Sequence, residues 1–413
     1  MFKTSNLRYV SMKSITLNNI LVKTVLFLVV LMTLLDLIFP AKRDISRTLP
    51  IINQFFLLIS LVCYFLINIK RWWFDISLSK VLVWFWLIQL IYLLLTSSNY
   101  QADFIKIART SIWIFGYFFF LDSSFYQRFK AKHLLYIFDL MIFIIFLQVL
   151  ENSLNTSFYR ANRDYGISNQ GYFLLFAMPV LFLYRKVPYR NLLLILIMVG
   201  ALISMKRGAI ILLAIQIFYL SFFAQIRQFG GKRFALTFKV LLIISVFALF
   251  QFIILERSDI YTNRFENLYN EDFNEIGSGR GALYTLALEH WYTADLKNVI
   301  FGFGYNSTPE FYKTTFLNQG FYAHSDFVML IHDYGLIGVT ILFFIFYGLL
   351  KQIKNCSKLN LGIPLVLITI AIFIKSLYSG FIIYSYSIIA FALTGWIFGE
   401  YLLDKYETLV DEE

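Results

Sequence analysis

Long apolar segments alternate with short polar loops along almost the whole chain. Each segment is roughly 14–20 residues long, about the length of helix that crosses the hydrocarbon core of a membrane, so each predicts a transmembrane helix. We expect these helices near residues 21–39, 51–67, 81–95, 104–121, 134–150, 171–184, 192–205, 209–224, 240–255, 336–350, 361–374 and 381–398.

One polar interval, residues 256–322, interrupts this alternation. Within it, an apolar-periodic run from Arg280 to Trp291 predicts a helix. At helical spacing, Arg280, Tyr284, Ala287 and Trp291 share one face of that helix.

Glycine and proline predict where the chain turns after this helix. Gly302, Gly304 and Pro309 are expected to break it into turns. A second short helix is expected to begin near Ser325 or Asp326, either of which is a suitable N-cap. Gly335 and Gly338 then mark the junction with the tenth span.

Composition supports the same architecture. Hydrophobic residues make up 59% of the chain and charged residues 15%, which excludes a soluble globular protein. The sequence therefore predicts an all-α polytopic membrane protein with about twelve transmembrane helices and one large extracytoplasmic loop that contains short helices. We expect residues 1–413 to form a single integral membrane domain, with residues 256–322 capping its outer face.

The basic residues are unevenly distributed among the loops, and their distribution predicts how the chain is oriented in the membrane. The net charge is +11, and the basic residues concentrate in every second short loop, as expected for loops that face the cytoplasm and not for a nucleic-acid surface. Both termini are therefore predicted to be cytoplasmic and the long interval to face outward. The loop 41–48, with three basic residues on the outer side, is an exception.

His324 is the leading candidate for a proton acceptor. It precedes a predicted helix start, where the positive end of the helix dipole disfavours the imidazolium form and keeps the ring neutral. A neutral imidazole is the usual general base in enzymes. The alternative is an interfacial histidine that hydrogen-bonds the backbone.

Several cations on the predicted outer side are candidates for binding an anionic group. An arginine at the position of Arg280 can hold a phosphate in forked geometry, although it can equally pair with acidic residues of the same loop. Lys206 and Arg207 lie between two spans with almost no loop, where an anionic lipid head group is a natural partner and snorkelling to the interface is the alternative. Arg163, with Arg160, is a weaker candidate pair.

Other charged residues have simpler interpretations. Lys106, Arg109 and Lys375 lie at the outer ends of spans, where snorkelling is the default. The acidic residues Glu271, Asp272 and Glu275 are expected to be solvated, because metal sites have better-defined ligand spacing. We therefore expect neither a metal nor a cofactor.

Four pieces of the chain, in order, resemble the family of bacterial O-antigen polymerases of the Wzy type and O-antigen ligases. The resemblance covers residues 160–347, and its pieces are Arg163-Asp164-Tyr165-Gly166-Ile167-Ser168-Asn169 with Pro179, then Ser204-Met205-Lys206-Arg207-Gly208, then Arg280 to Trp291 with Gly302-Phe303-Gly304, then His324 with Gly335-Leu336-Ile337-Gly338. The family commonly has serine immediately before the membrane arginine, whereas Lys206 stands there in this chain. This leaves open whether Lys206 or Arg207 binds phosphate.

The resemblance implies an enzyme of the bacterial inner membrane that joins glycans at the outer face. Its donors are linked to undecaprenyl diphosphate, and no metal is needed. His324 would be the catalytic base of an inverting displacement. Diphosphate and substrate binding would fall to Arg280, Arg207, Lys206, Arg163 and Tyr284.

The resemblance does not separate polymerase from ligase. The first hypothesis is a polymerase that extends O-antigen or capsule repeat units, with membrane lipid and a chain-length regulator as partners and no nucleic acid. The second is a ligase that transfers the finished glycan to lipid A–core. A hypothesis from another class is a flippase for lipid-linked oligosaccharides, although transporters of this size often show paired halves, and none is visible here.

Overall fold

The computed structural model describes residues 12–39, 48–69, 76–97, 99–155, 169–183, 189–204, 206–222, 276–315, 324–357, 361–382 and 384–411. The predicted span 240–255, Arg163 and the acidic residues Glu271, Asp272 and Glu275 lie outside these residues.

The described residues form helices and no strands, which confirms the all-α prediction. In chain order the helices are α1 (Met12–Ile38), α2 (Thr48–Ile67), α3 (Ser77–Thr96), α4 (Tyr100–Phe125), α5 (Ala131–Asn155), α6 (Gln170–Ala177), α7 (Val180–Leu183), α8 (Arg190–Ile203), α9 (Arg207–Phe222), α10 (Ile276–Tyr292), α11 (Leu296–Phe301), α12 (Ser307–Thr315), α13 (Asp326–Cys356), α14 (Gly362–Tyr378) and α15 (Ile388–Asp411), the last preceded by a short 3₁₀ turn, Ser385–Ser387.

Seven helical stretches in the described part of the chain are long and apolar enough to cross a membrane. They lie in α1 to α5, in α13 and in the 3₁₀ turn with α15; α8, α9 and α14 supply shorter apolar helices. These are the properties of a polytopic membrane protein, while the count of twelve spans stays a prediction.

Several predicted spans, among them the sixth and the last, differ in detail from the observed helices. The segment 171–184 is divided into α6 and α7 at Met178 and Pro179. The break falls at Pro179 because proline lacks the N–H that continues a helix and its ring crowds the preceding turn. The last span begins later than predicted, at Ile388, and continues to Asp411.

The core of the bundle lies around α4, whose middle is buried on all sides. The Trp113 ring stacks on Phe391 of α15 at a centroid distance of 4.4 Å. A Cβ at Gly395 would lie 2.4 Å from the backbone oxygen of Tyr117, so glycine permits the close approach of α4 and α15. Small residues at such contacts are typical of helix packing in membranes.

Residues 276–315, which we call the cap, pack across one end of the bundle. The Tyr92 hydroxyl at the end of α3 donates to the backbone oxygen of Phe301 at 2.7 Å. The backbone N–H of Tyr305 donates to the Thr96 hydroxyl at 2.7 Å. The end of the bundle that these contacts cover is called the cap end below.

Two glycines join the cap to α13. Gly335 interrupts the helix with φ 60° and ψ −144°, a conformation that only glycine adopts readily. A Cβ there would lie 2.6 Å from the backbone nitrogen of Gly302, which itself has φ 71°. The backbone N–H groups of Phe303 and Gly304 donate to the carbonyls of His332 and Asp333 at 3.0 and 3.1 Å. The two glycine motifs of the sequence thus meet, and Gly335 marks the predicted junction.

Gly302 and Gly304 lie in the turn between α11 and α12 as predicted, whereas the prediction that Pro309 also breaks the chain into a turn was wrong. Pro309 is the third residue of α12, which runs from Ser307 to Thr315. Proline is tolerated there because the N–H groups of the first helical turn have no partner within the helix.

Candidate functional site at the cap end

His324 lies directly before α13, in a turn that fixes its backbone. It has φ 54°, in the left-handed region. The next residue, Ser325, is the N-cap of α13, and its hydroxyl accepts from the N–H of Val328 at 3.5 Å. The imidazole is half-buried. His324 is therefore held at the start of a helix, as the sequence predicts, and the predicted short helix is the part of α13 before the kink at Gly335.

The helix that carries Arg280 packs beside this turn. The Tyr284 hydroxyl donates to the backbone oxygen of His324 at 3.5 Å. Tyr284 also packs against a small buried cluster of Ala287, Tyr312, Val328 and Met329, which joins α10 to α12 and α13. Arg280 is one helical turn before Tyr284 in α10, and its side chain lies outside the described part of the structure.

Lys206 and Arg207 lie at the start of α9, and Arg207 is its first residue. The N–H of Lys206 donates to the Ser204 hydroxyl at 3.4 Å. Lys206 is half-buried, whereas the side chain of Arg207 is outside the described part. The next residue, Gly208, packs directly on the hydroxyl end of the Tyr172 ring.

Lys375 is buried beneath this region, which corrects the expectation of snorkelling. Its side chain is 0% exposed, and its ammonium donates to the Gly380 carbonyl at 2.6 Å. The ammonium faces the rings of Tyr384 at 4.4 Å and Tyr172 at 5.0 Å. Cation–π contacts of this kind stabilise a desolvated charge. The lysine is retained inside because carbonyl and ring partners surround it.

The turn at Gly380, whose carbonyl accepts a hydrogen bond from the Lys375 ammonium, also binds the start of α13. The Asp326 carboxylate accepts from the N–H of Phe381 at 2.7 Å and from that of Ile382 at 3.3 Å. Asp326 is 1% exposed and stands two residues after His324. A chain of contacts therefore leads from Gly208 through Tyr172, Lys375 and the turn at Gly380 to Asp326. It connects the start of α9 with the turn of His324.

A second polar cluster joins the cap to α13 further along the helix. His290 Nδ1 lies 3.0 Å from His332 Nε2, and His332 Nδ1 lies 3.0 Å from the Ser307 hydroxyl. Asp333 Oδ1 accepts from the Ser307 hydroxyl at 2.9 Å and from the Thr308 hydroxyl at 2.6 Å. His332 is 1% exposed. We call these five residues the histidine pair cluster.

Aromatic rings enclose this cluster. The His290 imidazole lies between the rings of Phe303 and Phe311, at centroid distances of 4.1 and 4.3 Å. Burial, with a smaller contribution from His332, lowers the pKa of His290 below its ordinary value of 6.5. This environment therefore favours the neutral form of His290.

Sequence reasoning placed Lys375 at the membrane interface, where the structure buries it, and did not predict the histidine pair cluster. The structure brings together His324, Tyr284 and the helix of Arg280, and it links them through Lys375 to the start of α9. Arg163 falls outside the described residues. A signal for the second cluster was present, because His290 and His332 lie on the two helices predicted within and directly after the polar interval.

Fold and site together define a helical membrane protein in which His324, Tyr284 and the helix of Arg280 lie close together at one end of the bundle, under a cap of short helices. Residues 192–344 match the family model described as O-antigen ligase, and this confirms the resemblance to the O-antigen polymerase and ligase family. The match includes α8 to α12 and the first part of α13, the elements that carry Lys206, Arg207, Arg280 and His324. No curated protein matches the chain.

Proposed function

We propose that this protein is a glycosyltransferase that moves a glycan from a polyprenyl-diphosphate donor to a sugar hydroxyl at the cap end, on the outer face of the bacterial inner membrane. The supporting observation is the position of His324. It precedes the N-cap of α13, beside the Tyr284 of the helix that carries Arg280.

The reaction assigned to the site is a single displacement. The acceptor hydroxyl attacks the anomeric carbon while His324 takes its proton. The bond between the anomeric carbon and the diphosphate oxygen breaks, and undecaprenyl diphosphate leaves. One displacement of this kind inverts the anomeric configuration and requires no covalent nucleophile.

Cations of the site stabilise the leaving group in this proposal. The departing diphosphate carries negative charge, which Arg280 and Arg207, assisted by Lys206, neutralise without a metal. Fixed positive groups near developing charge lower a barrier because they need no reorganisation during the reaction. The buried Lys375 adds positive charge between the start of α9 and the turn of His324.

The favoured reaction is polymerisation of O-antigen or capsule repeat units. The second candidate is ligation of a finished glycan to lipid A–core, and the description of the matched family, O-antigen ligase, favours it. The two differ in the acceptor and share the donor chemistry described above.

Deletion of the gene in a lipopolysaccharide-producing host separates these candidates. Loss of a polymerase is expected to leave core capped with a single repeat unit. Loss of a ligase is expected to leave bare core and accumulated lipid-linked glycan. Unchanged long chains on lipid A–core would contradict both.

A further inference from the structure

Helix α11 of the cap exposes apolar side chains. It is six residues long, and none of these residues is buried. Its apolar members are Leu296, Val299, Ile300 and Phe301. Leu296 is 74% exposed, and Phe301 and the nearby Tyr292 are exposed as well. A helix in water normally turns its apolar residues toward a core, whereas the described part of the chain leaves those of α11 uncovered.

Helix α12, which belongs to the same cap, has the opposite arrangement. It buries Tyr312, whose hydroxyl donates to the backbone oxygen of Leu283. On its outer side it exposes the charged residues Glu310 and Lys313. This is the pattern expected of a helix that has one side in water. The two helices of the cap therefore suit different surroundings, and water suits only α12.

The span α3 shows at what depth α11 lies. It runs from Ser77 to Thr96, and at roughly 1.5 Å per residue its length is about 30 Å, the thickness of the hydrocarbon core. Tyr92, one turn before the cap end of α3, donates to the backbone oxygen of Phe301 at 2.7 Å. In the same last turn of this apolar span, Leu95 is 77% exposed. The end of α11 therefore lies level with the boundary of the hydrocarbon core.

The span in α13 indicates the same depth. Gly335 interrupts this helix, and residues 336–356 beyond the interruption are again about 30 Å long. A Cβ at Gly335 would lie 2.6 Å from backbone atoms of Ile300, so the end of α11 packs against the kink. Directly beyond the kink, Leu336 is exposed. Two spans that expose apolar side chains thus end where α11 lies.

Aromatic residues occupy the corner between α10 and α11. The Trp291 indole N–H donates to the backbone oxygen of Val299 at 3.1 Å, which joins the two helices. Tyr292 follows and is exposed. Tryptophan and tyrosine are enriched where a membrane meets water, because their rings suit lipid and their polar groups suit the head-group region.

We propose that α11 and the corner at Tyr292 lie in the head-group region of the outer leaflet, with Leu296 and Phe301 in contact with phospholipid. The apolar side of α11 then continues the lipid-facing surface of α3 and α13, and lipid replaces the missing protein core. Apolar side chains of interfacial helices enter the boundary between head groups and acyl chains in this way. The proposal does not depend on the proposed function, because it concerns lipid and not the glycan.

Spin labels measure this depth in the full-length protein, reconstituted in vesicles of phosphatidylethanolamine and phosphatidylglycerol. Leu296→Cys carries the nitroxide, in a Cys63→Ala background that removes the exposed native thiol and leaves the buried Cys356 in place. Oxygen concentrates in lipid, whereas a water-soluble nickel chelate stays outside it. The ratio of their collision rates with the nitroxide therefore reports whether lipid or water surrounds the label.

Lys313→Cys in the same background is the matched control, because Lys313 is an exposed residue of α12 on the same cap. We expect the oxygen-to-chelate ratio to be several-fold higher for Leu296→Cys than for Lys313→Cys. If Leu296→Cys does not accumulate, Tyr292→Cys tests the same corner, with the same high ratio expected.

Two results would overturn the proposal. One is an equal oxygen-to-chelate ratio at the two labels, which would place α11 in water. The other is protection of the α11 label from both reagents, which would show that protein covers the helix; spin–spin broadening would then identify a second copy of this chain. Neither donor nor acceptor is present in the measurement, so a failure of glycan transfer does not change its outcome.

Discussion

Two regions at the cap end carry histidine, and they differ in how the imidazole is held. In the histidine pair cluster, His332 is 1% exposed and both of its ring nitrogens lie 3.0 Å from a partner. In the turn before α13, His324 has a left-handed backbone and its side chain is half-buried. The first region is arranged to hold the cap on α13. In the second, the proposed function has His324 exchange a proton with a ligand.

The comparison separates a region that stabilises the structure from a region to which we assign the reaction. A buried polar network in which each member is paired rigidifies a structure, and the loss of one member is costly. A general base instead needs access to the proton that it takes. Titratable residues alone would not distinguish the two regions, because burial and partners decide their roles.

The largest expected effect is the loss of glycan transfer in the variant His324→Ala. Removal of a general base typically lowers a rate by about 10²–10⁴, so long glycan chains should disappear while the protein accumulates normally. The measurement is the chain-length distribution in cells that carry each variant. His133→Ala is the matched control, because His133 is exposed at the start of α5. An unchanged distribution for His324→Ala would remove this residue from the mechanism.

Next in size are the expected effects of Arg280→Ala and Arg207→Ala, the two arginines that the proposed function assigns to the diphosphate. A hydrogen bond to a charged group contributes roughly 1.5–3 kcal/mol, so apparent KM for lipid-linked donor should rise roughly 10- to 100-fold for each variant. Steady-state kinetics with purified protein measures this. Lys297→Ala, at an exposed cation of α11, should leave KM unchanged. Wild-type kinetics in both arginine variants would refute the diphosphate assignment.

Thr308→Val probes the scaffold region. The substitution keeps the shape of the side chain and removes the hydroxyl that donates to Asp333 at 2.6 Å. We expect a loss of about 1–3 kcal/mol in stability, seen as a lower melting temperature. Thr314→Val, exposed on the same helix, should change little. Equal melting temperatures for the two variants would argue against the scaffold role.

The smallest expected effect is a change in how the stability of the protein depends on pH in the variant His290→Phe. Since the folded-state pKa of His290 is lowered from 6.5, the unfolded chain binds a proton more readily than the folded protein does. Stability is therefore fully present above pH 6.5 and falls as pH drops through the window between 6.5 and the lowered value. His290→Phe should flatten this dependence in melting curves. If the melting temperature depends on pH equally in His290→Phe and in the wild-type protein, His290 is not the cause of the pH dependence.

Much of the fold was predictable because helix signals are local. The apolar segments, the N-cap at Ser325 and the junction at Gly335 are all read from neighbouring residues. The burial of Lys375 was not predictable in this way. Its partners come from three elements, the helix of Tyr172, the turn at Gly380 and the segment of Tyr384, and a sequence pattern does not show that they converge.

The positions of the candidate site residues could be predicted only in part. His324, Arg280 and Arg207 stand at helix starts or in motifs that the sequence displays. The pairing of His290 with His332 joins residues 42 positions apart, and no local pattern shows that they meet. Polar residues on apolar spans were therefore the signal that sequence reasoning underused.

The most direct test is transfer by purified protein supplied with a polyprenyl-diphosphate glycan and an acceptor, in the presence of EDTA. The account predicts glycan transfer and release of undecaprenyl diphosphate by the wild-type protein, and donor binding without transfer by His324→Ala. Transfer by His324→Ala at the wild-type rate, or activity that EDTA abolishes and a divalent ion restores, would contradict it.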